Sequence, residues 1–444
     1  MFHIHLKGER GEIWNANAGK ALFLLVVEVY VDGVLSSFPA GSGRQQIELA
    51  SPLNRTVICF SHLRWDFVLQ RPQHLMGRFA KTDRVFFFEE AAGTDHYMPY
   101  LDMIPYPADN VVAICPHIPN SYNEAETEAA LRMLLDQLLI MTASPRPVLW
   151  FYTPMMFSFA RHVDASAVIY DCMDELANFR FAEPRLKQLE ADLMKRADAV
   201  FTGGFSLYEA KRNRHGNIHP FPSSVDVAHF RTARAGLPVP ADQQSIPGPR
   251  LGFYGVIDER IDLDLIGALA EARPDWSVVM VGPVAKIEWD DLPKAPNIHY
   301  LGAKHYDELP AYLSGWDVAL MPFAINEATR FISPTKTPEY LAAGRPVVST
   351  PITDVVRQYG DLAGVHIAAT PEAFIAACER ALRLNEQPDS WLRDVDALLS
   401  NLSWDATFLR MKNIVADVLA SKSPARRRSS VSRDAGAASS VHAG

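Results

Sequence analysis

The stretch Arg330–Thr350, RFISPTKTPEYLAAGRPVVST, reads as a loop, a short helix, a glycine stop and a buried strand. Ser333-Pro334 predicts the helix start, since Ser caps well and Pro is tolerated in the first turn. The helix is expected over Thr335–Ala343. Gly344 ends it, and Pro346 leads into the apolar run Pro346–Thr350.

The same alternation extends on both sides of this stretch. Downstream lie a strand at Gly364–Ala368, a helix at Pro371–Arg383 and a final amphipathic helix from Trp404 to about Ala420. Upstream, strands are predicted at Leu251–Tyr254, Ser277–Val281, Ile298–Leu301 and Val318–Met321. Helices fall at Leu263–Ala272 and Tyr306–Ser314. An earlier series carries strands at Val57–Phe60, Arg84–Phe88, Val111–Cys115, Val148–Tyr152, Ala167–Tyr170 and Ala199–Thr202. Its helices are Pro72–Lys81, Glu124–Met141 and Pro184–Arg196. Strands alternating with helices predict an α/β chain with parallel sheets covered on both faces.

Pro238, Pro240, Pro247 and Pro249, with Gly236 and Gly248, predict a linker over 232–250. The organisation is therefore an N-terminal extension of undecided structure (1–54), a first domain (55–231), the linker, a second domain (251–403), a C-terminal helix (404–420) and a disordered tail (421–444). The helix is a candidate to pack back on the first domain, and the Ser-, Ala- and Arg-rich tail has almost nothing to bury. Two such domains predict a cleft between the carboxyl ends of their sheets, where ligands of open α/β sheets bind.

At 444 residues the chain is too long for one ordinary core. A formal net charge of -9 argues against a nucleic-acid binder. Cys59, Cys115, Cys172 and Cys378 are scattered, with no C-x-x-C pair, and read as small buried hydrophobes. The apolar run Ala21–Val31 is interrupted by Glu28 and falls short of the roughly 20 residues that span a bilayer. The expected location is cytoplasmic, with peripheral contact at the inner membrane left open. Lys195, Arg196, Lys211, Arg212, Arg214 and His215 read as a solvated face, the alternative being contact with anionic lipid or a polymer.

A helix start at Ser333, Pro334 and Thr335 offers unpaired N–H groups and partial positive charge, which suit a diphosphate. Lys336 in the first turn opposes the helix dipole, a conflict that a bound phosphate removes. Glu339, on the same face, is placed to accept both hydroxyls of a ribose. The alternative is an ordinary capped helix with a surface Lys and Glu. Gly255, after the strand Leu251–Tyr254, permits close backbone approach, and Arg260 reaches towards a diphosphate unless it merely pairs with Asp258 or Glu259. Asp262-Leu-Asp264 falls on a helix, where positions two apart diverge, so no metal site is predicted. In the first domain, Trp65, Arg71 and His74 are candidates for acceptor or phosphate contact, and His74 also for a catalytic role, against simple packing. Asp171 and Asp174 are candidate bases for an acceptor hydroxyl, against helix capping.

The donor stretch resembles the nucleotide-sugar site of GT-B glycosyltransferases close to family 4 (glycosyl transferases group 1). In those enzymes a Glu-Ala/Tyr-x-Ala-x-Gly-x-Pro-Val-Val run holds the donor. Ser224-Val225-Asp226-x-x-x-Phe230, Leu301-Gly302, Leu309-Pro310-x-Tyr312 and Asp317-Val318-Ala319-Leu320-x-Pro322 add to the resemblance, which covers roughly 56–420. Trp65-Asp66-Phe67-Val68-x-Gln70-Arg71-Pro72-Gln73-His74-Leu75 is similar to a bacterial subgroup typified by teichuronic acid biosynthesis enzymes. The resemblance implies two Rossmann-like domains facing each other across a cleft. It also implies sugar transfer from a nucleotide-diphosphate donor to a glycan or lipid-linked acceptor, with retention, no metal and no cofactor. A basic residue at Arg260 is common in the family. The family's first glutamate is replaced here by Phe331, and its catalytic-loop His has no counterpart in Tyr152-Thr153-Pro154. Competing readings are a nucleotide-sugar epimerase of related architecture and a non-catalytic scaffold of a polysaccharide complex.

Overall fold

The Val-, Ile- and Phe-rich runs form the strands of two largely parallel sheets in a computed structural model, which describes residues 55–422 apart from 180 and 181. The extension at 1–54 and the tail from 423, with Arg426-Arg427-Arg428, lie outside the described residues. Ser421 and Lys422, expected to open the tail, complete the last helix, Trp404–Lys422.

The first sheet contains β1 (Thr56–Phe60), β2 (Arg84–Phe88), β3 (Ala92–Thr94), β4 (Tyr100–Tyr106), β5 (Val111–Pro119), β6 (Val148–Phe151), β7 (Ala167–Cys172), β8 (Ala199–Thr202) and β9 (Ile218–Pro220). Their order is β3-β5-β2-β1-β6-β7-β8-β9, with β4 antiparallel on β5. Every residue of β1 is buried, as expected for a central parallel strand covered on both faces. Phe60 stacks on Phe151 at 4.6 Å, and burying each ring contributes about 1.5–3 kcal/mol. The β4–β5 pairing was not anticipated, because Pro99, Pro105 and Pro107 argue against a strand there. Pro105 is tolerated since β4 lies off the main strand path and borders β5 alone.

The second sheet contains β10 (Arg250–Tyr254), β11 (Ser277–Val281), β12 (Ile298–Gly302), β13 (Val318–Met321), β14 (Val347–Ser349) and β15 (Val365–Ile367). All are parallel, in the order β12-β11-β10-β13-β14-β15. The chain steps outward from β10 to β12, then returns to the other side of β10 for β13. The strand order therefore reverses between β10 and β13, which creates a crevice at their carboxyl ends.

By contact, described residues 55–171, 185–200 and 411–422 form one compact unit, and 172–184 with 201–410 form a second. Within the first unit, Lys422 pairs with Asp198 at 2.5 Å and Lys412 bonds Thr82. Residues 232–250, expected as a linker, are built into the second unit. Gln243 is fully buried there, accepting from the Trp316 indole at 2.8 Å and donating to the Tyr312 carbonyl at 3.0 Å. All four cysteines are buried, and none is in a disulfide.

Candidate active site

Two glycines shape the crevice at the end of β10. Gly255 and Gly282 have φ of 143° and 144°, a region L side chains rarely enter. A Cβ on Gly282 would lie 1.9 Å from the Gly255 carbonyl oxygen, so the two loops meet backbone to backbone. A Cβ on Gly255 would lie 2.2 Å from Lys336 Cε and 2.8 Å from its Nζ. The Lys336 side chain therefore crosses the space that Gly255 leaves open.

Lys336 is the first residue of the helix Lys336–Ala342, one position later than predicted, and Thr335 rather than Ser333 precedes it as the cap. Ser333 instead offers its carbonyl to the Ser223 hydroxyl at 2.6 Å. The N–H groups of Lys336 and Thr337 open the helix without an intrahelical acceptor, and Pro338 has none to satisfy. Among the described residues, no carboxylate or hydrogen-bond acceptor reaches the Lys336 ammonium, which lies 5.9 Å from the centre of the Phe253 ring. Burial pushes its pKa below the ordinary lysine value, the charge of Glu339 opposes that fall, and the charge of Arg260 adds to it.

Arg260 is fixed by Asp258. Its Nε and Nη2 bond the Asp258 carboxylate at 2.7–3.1 Å, and its backbone N–H bonds the same group at 3.0 Å. Asp258 is itself buried. The pairing holds the guanidinium in one orientation and leaves Nη1 with no hydrogen-bond partner among the described residues. Ala324 donates to the Arg260 carbonyl and Asp262 to that of Pro322, which ties the β10 loop to the chain leaving β13. Asp262 caps the helix Leu263–Ala272 through the Leu265 N–H, while Asp264 is exposed in its first turn.

Glu339 is 5% exposed and accepts a 2.5 Å hydrogen bond from the Tyr254 hydroxyl. Burial raises its pKa above the usual carboxylate value. Hydrogen bonds from Tyr254 and Thr335, and the nearby Lys336 charge, oppose that rise. One buried carboxylate, an ammonium that no acceptor bonds among the described residues and an oriented guanidinium thus share one strand-end crevice. This set is complementary to a molecule with anionic and hydroxyl-bearing parts.

Residues 248–383, which include all of these side chains, match the family described as Glycosyl transferases group 1. The chain is a glycosyltransferase. It is 29% identical over 286 residues, 60% of its length, to a Bacillus subtilis (strain 168) glycosyltransferase named for teichuronic acid biosynthesis, TuaH, of which 71% is covered. Its fold is similar to sucrose-phosphate synthase from Thermosynechococcus elongatus, with TM-score 0.60, 13% identity, and 83% of this chain and 100% of that one covered. It is also similar to Anabaena HepE, solved in complex with UDP and glucose, with TM-score 0.59, 12% identity, and 81% and 99% covered. The glycosyltransferase therefore has the GT-B fold of Rossmann-like domains.

Other predicted residues of the glycosyltransferase separate by environment. Asp174, half-buried in the second unit, is near enough for its charge to act on both Arg260 and Lys336. Phe179 follows it, with Arg260 5.8 Å from its ring centre and Lys286 5.3 Å.

In the first unit, Asp171 is fully buried and spends both oxygens on Arg71 at 2.8–3.2 Å. The expectation of a free base at Asp171 and a ligand contact at Arg71 is corrected, because each neutralises the other inside the core. Trp65 is also corrected. It is 6% exposed, edge-on to Phe87 at 5.0 Å, with its indole N–H on Asp109 and its backbone N–H on Glu89. His74 lies half-buried one turn beyond Arg71 in the helix Arg71–Phe79. In the second unit, Lys211, assigned to a solvated basic face, is buried and paired with Glu175 at 2.6 Å. A cavity of about 170 Å³ in the first unit, walled by Phe88, Glu90, Leu131, Met156, Phe159 and Arg185, contains none of the predicted residues.

Sequence reasoning missed Tyr254 and Asp258 as parts of the site. Tyr254 ends an apolar strand and reads as core, and Asp258 entered only as an alternative partner for Arg260. The signal for Asp258 was its spacing of two from Arg260 across a turn.

Proposed function

We propose that Lys336, Arg260 and the helix start at Thr335 hold the diphosphate of a nucleotide-sugar donor, while Glu339 holds its ribose. The observation that carries this reading is the Lys336 ammonium, desolvated, bonded by no acceptor among the described residues and lying in the field of both Glu339 and Arg260. As the sugar–phosphate bond breaks, charge develops on the departing diphosphate. Two fixed cations stabilise that charge more than they stabilise the ground state, the role a metal ion has in other transferases. Gly255 keeps the backbone clear for this approach, and Ser333 lines the entry to the helix. Asp174 is the remaining one of the two candidate bases to meet an acceptor hydroxyl.

The acceptor is proposed to be a glycan or lipid-linked sugar of bacterial surface polysaccharide assembly, supported by the likeness to TuaH. Transfer is proposed to retain configuration, to need no metal or other cofactor, and to occur in the cytoplasm or at the inner face of the membrane. Among the described residues, no helix is long and apolar enough to cross a membrane. The test is release of UDP or GDP from a panel of donor sugars with candidate acceptors, alongside Lys336→Ala and Glu339→Ala. Both variants should lose nucleotide affinity. If both bind as tightly as the parent, the site is misassigned.

A further inference from the structure

We propose that Tyr254 is a positioning residue, whose hydroxyl sets the Glu339 carboxylate in the orientation that reads a ribose diol. This rests on the assignment of Glu339 to the ribose and adds the element that holds it there.

Tyr254 ends β10, and Glu339 sits 85 positions later in the helix after β13. The return of the chain from β12 to β13 brings the two together. The hydroxyl donates to one carboxylate oxygen at 2.5 Å, inside the short range of charge-assisted hydrogen bonds. The phenol pKa is raised well above its ordinary value by burial and by the Glu339 charge, so Tyr254 remains a donor over the working pH range. The ring cannot drift. Its backbone N–H donates to the Tyr340 hydroxyl at 3.0 Å, and the Tyr340 ring meets it edge-on at 4.9 Å. Phe230 lies parallel at 6.3 Å and Trp316 at 6.1 Å.

Aromatic packing alone asks for a ring at 254 and not for a hydroxyl. The hydroxyl has a specific consequence. Glu339 has about four lone-pair positions, and the tyrosine occupies one, which fixes the carboxylate plane. The remaining positions then face any incoming donors in a set geometry. A carboxylate so fixed rejects an analogue lacking one hydroxyl more strongly than a freely rotating one, since it cannot turn to another partner. The ligand class selected is a nucleotide with a complete ribose.

The experiment measures, by calorimetry, the affinities of UDP and 2′-deoxy-UDP, and of GDP and 2′-deoxy-GDP, for the parent and for Tyr254→Phe, which keeps the ring. The parent should prefer the ribonucleotide by roughly tenfold or more, and Tyr254→Phe should reduce that preference to under about threefold. The acid limit of ribonucleotide binding should also move to higher pH in Tyr254→Phe, because the tyrosine hydrogen bond holds the Glu339 pKa down. An undiminished preference with an unmoved acid limit overturns the role of Tyr254 while leaving the donor site standing. Parent binding without ribose preference, unaffected by Glu339→Ala, removes the ribose assignment itself. If Tyr254→Phe unfolds, the ring is less tolerant than its packing implies. The pH profiles of Tyr254→Trp and the parent with the two nucleotides then decide, an acid limit in Tyr254→Trp no higher than the parent's counting against the proposal.

Discussion

Gly255→Ala tests the site through geometry without removing a charge. The new Cβ would stand 2.2 Å from Lys336 Cε. Ordinary carbon contacts are about 3.5–4.0 Å, so the lysine stem must retreat by more than about 1 Å. Its ammonium leaves the crevice with it. A hydrogen bond to a charged partner contributes about 1.5–3 kcal/mol, so nucleotide affinity should fall by about 10- to 150-fold. The substituted residue must also hold φ near 143°, which costs stability by about 1–3 kcal/mol whatever the lysine does. A double-mutant cycle separates the two effects. Against a Lys336→Ala background, Gly255→Ala has no ammonium to displace and should change affinity by less than about threefold, while the loss of stability persists. Calorimetric titration with UDP or GDP reads affinity, and thermal unfolding reads strain. Equal losses of affinity from Gly255→Ala in both backgrounds would show that the glycine acts independently of Lys336, and the reasoning would fail.

Three further outcomes follow from the same geometry. Donor affinity should have a bell-shaped pH profile narrower than free side chains would give. The Glu339 pKa is raised above 4.5, so binding weakens as pH falls through a point above that value; the Lys336 pKa is lowered below 10.5, so binding weakens as pH rises through a point below it. Titration with an intact nucleotide sugar measures both limits, and limits at the ordinary values would contradict the burial argument. Asp171→Asn should lower stability by about 3–5 kcal/mol by stranding the buried Arg71, which a shift in urea midpoint would register; full stability with lost turnover would return Asp171 to the reacting groups. Sugar transfer should survive prolonged chelation by EDTA, since among the described residues no group of three His, Cys, Asp or Glu side chains is placed to hold a metal ion. Activity lost on chelation and restored by one divalent ion would refute the two-cation account.

Most of the sheet framework was legible because buried parallel strands need uninterrupted apolar runs, and Val57–Phe60, Ser277–Val281 and Val318–Met321 supply them. Short elements were not. The helices Phe205–Lys211 and Thr353–Tyr359 span two turns, too few for a periodic signal, and β4 is masked by its prolines. The helix Lys336–Ala342 was found, but its start was misplaced because Ser333-Pro334 fits a cap as well as Thr335 does.

The site divided along a different line. Residues that stand out by charge against local structure, such as Lys336 in a helix's first turn, could be nominated as candidates from the sequence alone. Residues whose meaning depends on a distant partner could not. Asp171 and Asp174 stand three apart and were read together as candidate bases, yet at a strand end such neighbours point to different surroundings. One closes on Arg71, a hundred positions away, and the other enters the field of Arg260 and Lys336. Tyr254 and Glu339 are the converse, 85 positions apart and joined by one hydrogen bond. In both cases the deciding quantity is where strand order reverses, since that reversal selects which loops meet. Local pattern can therefore nominate a charge for the crevice, but the counter-charge that disqualifies it or the hydroxyl that bonds it is set by topology.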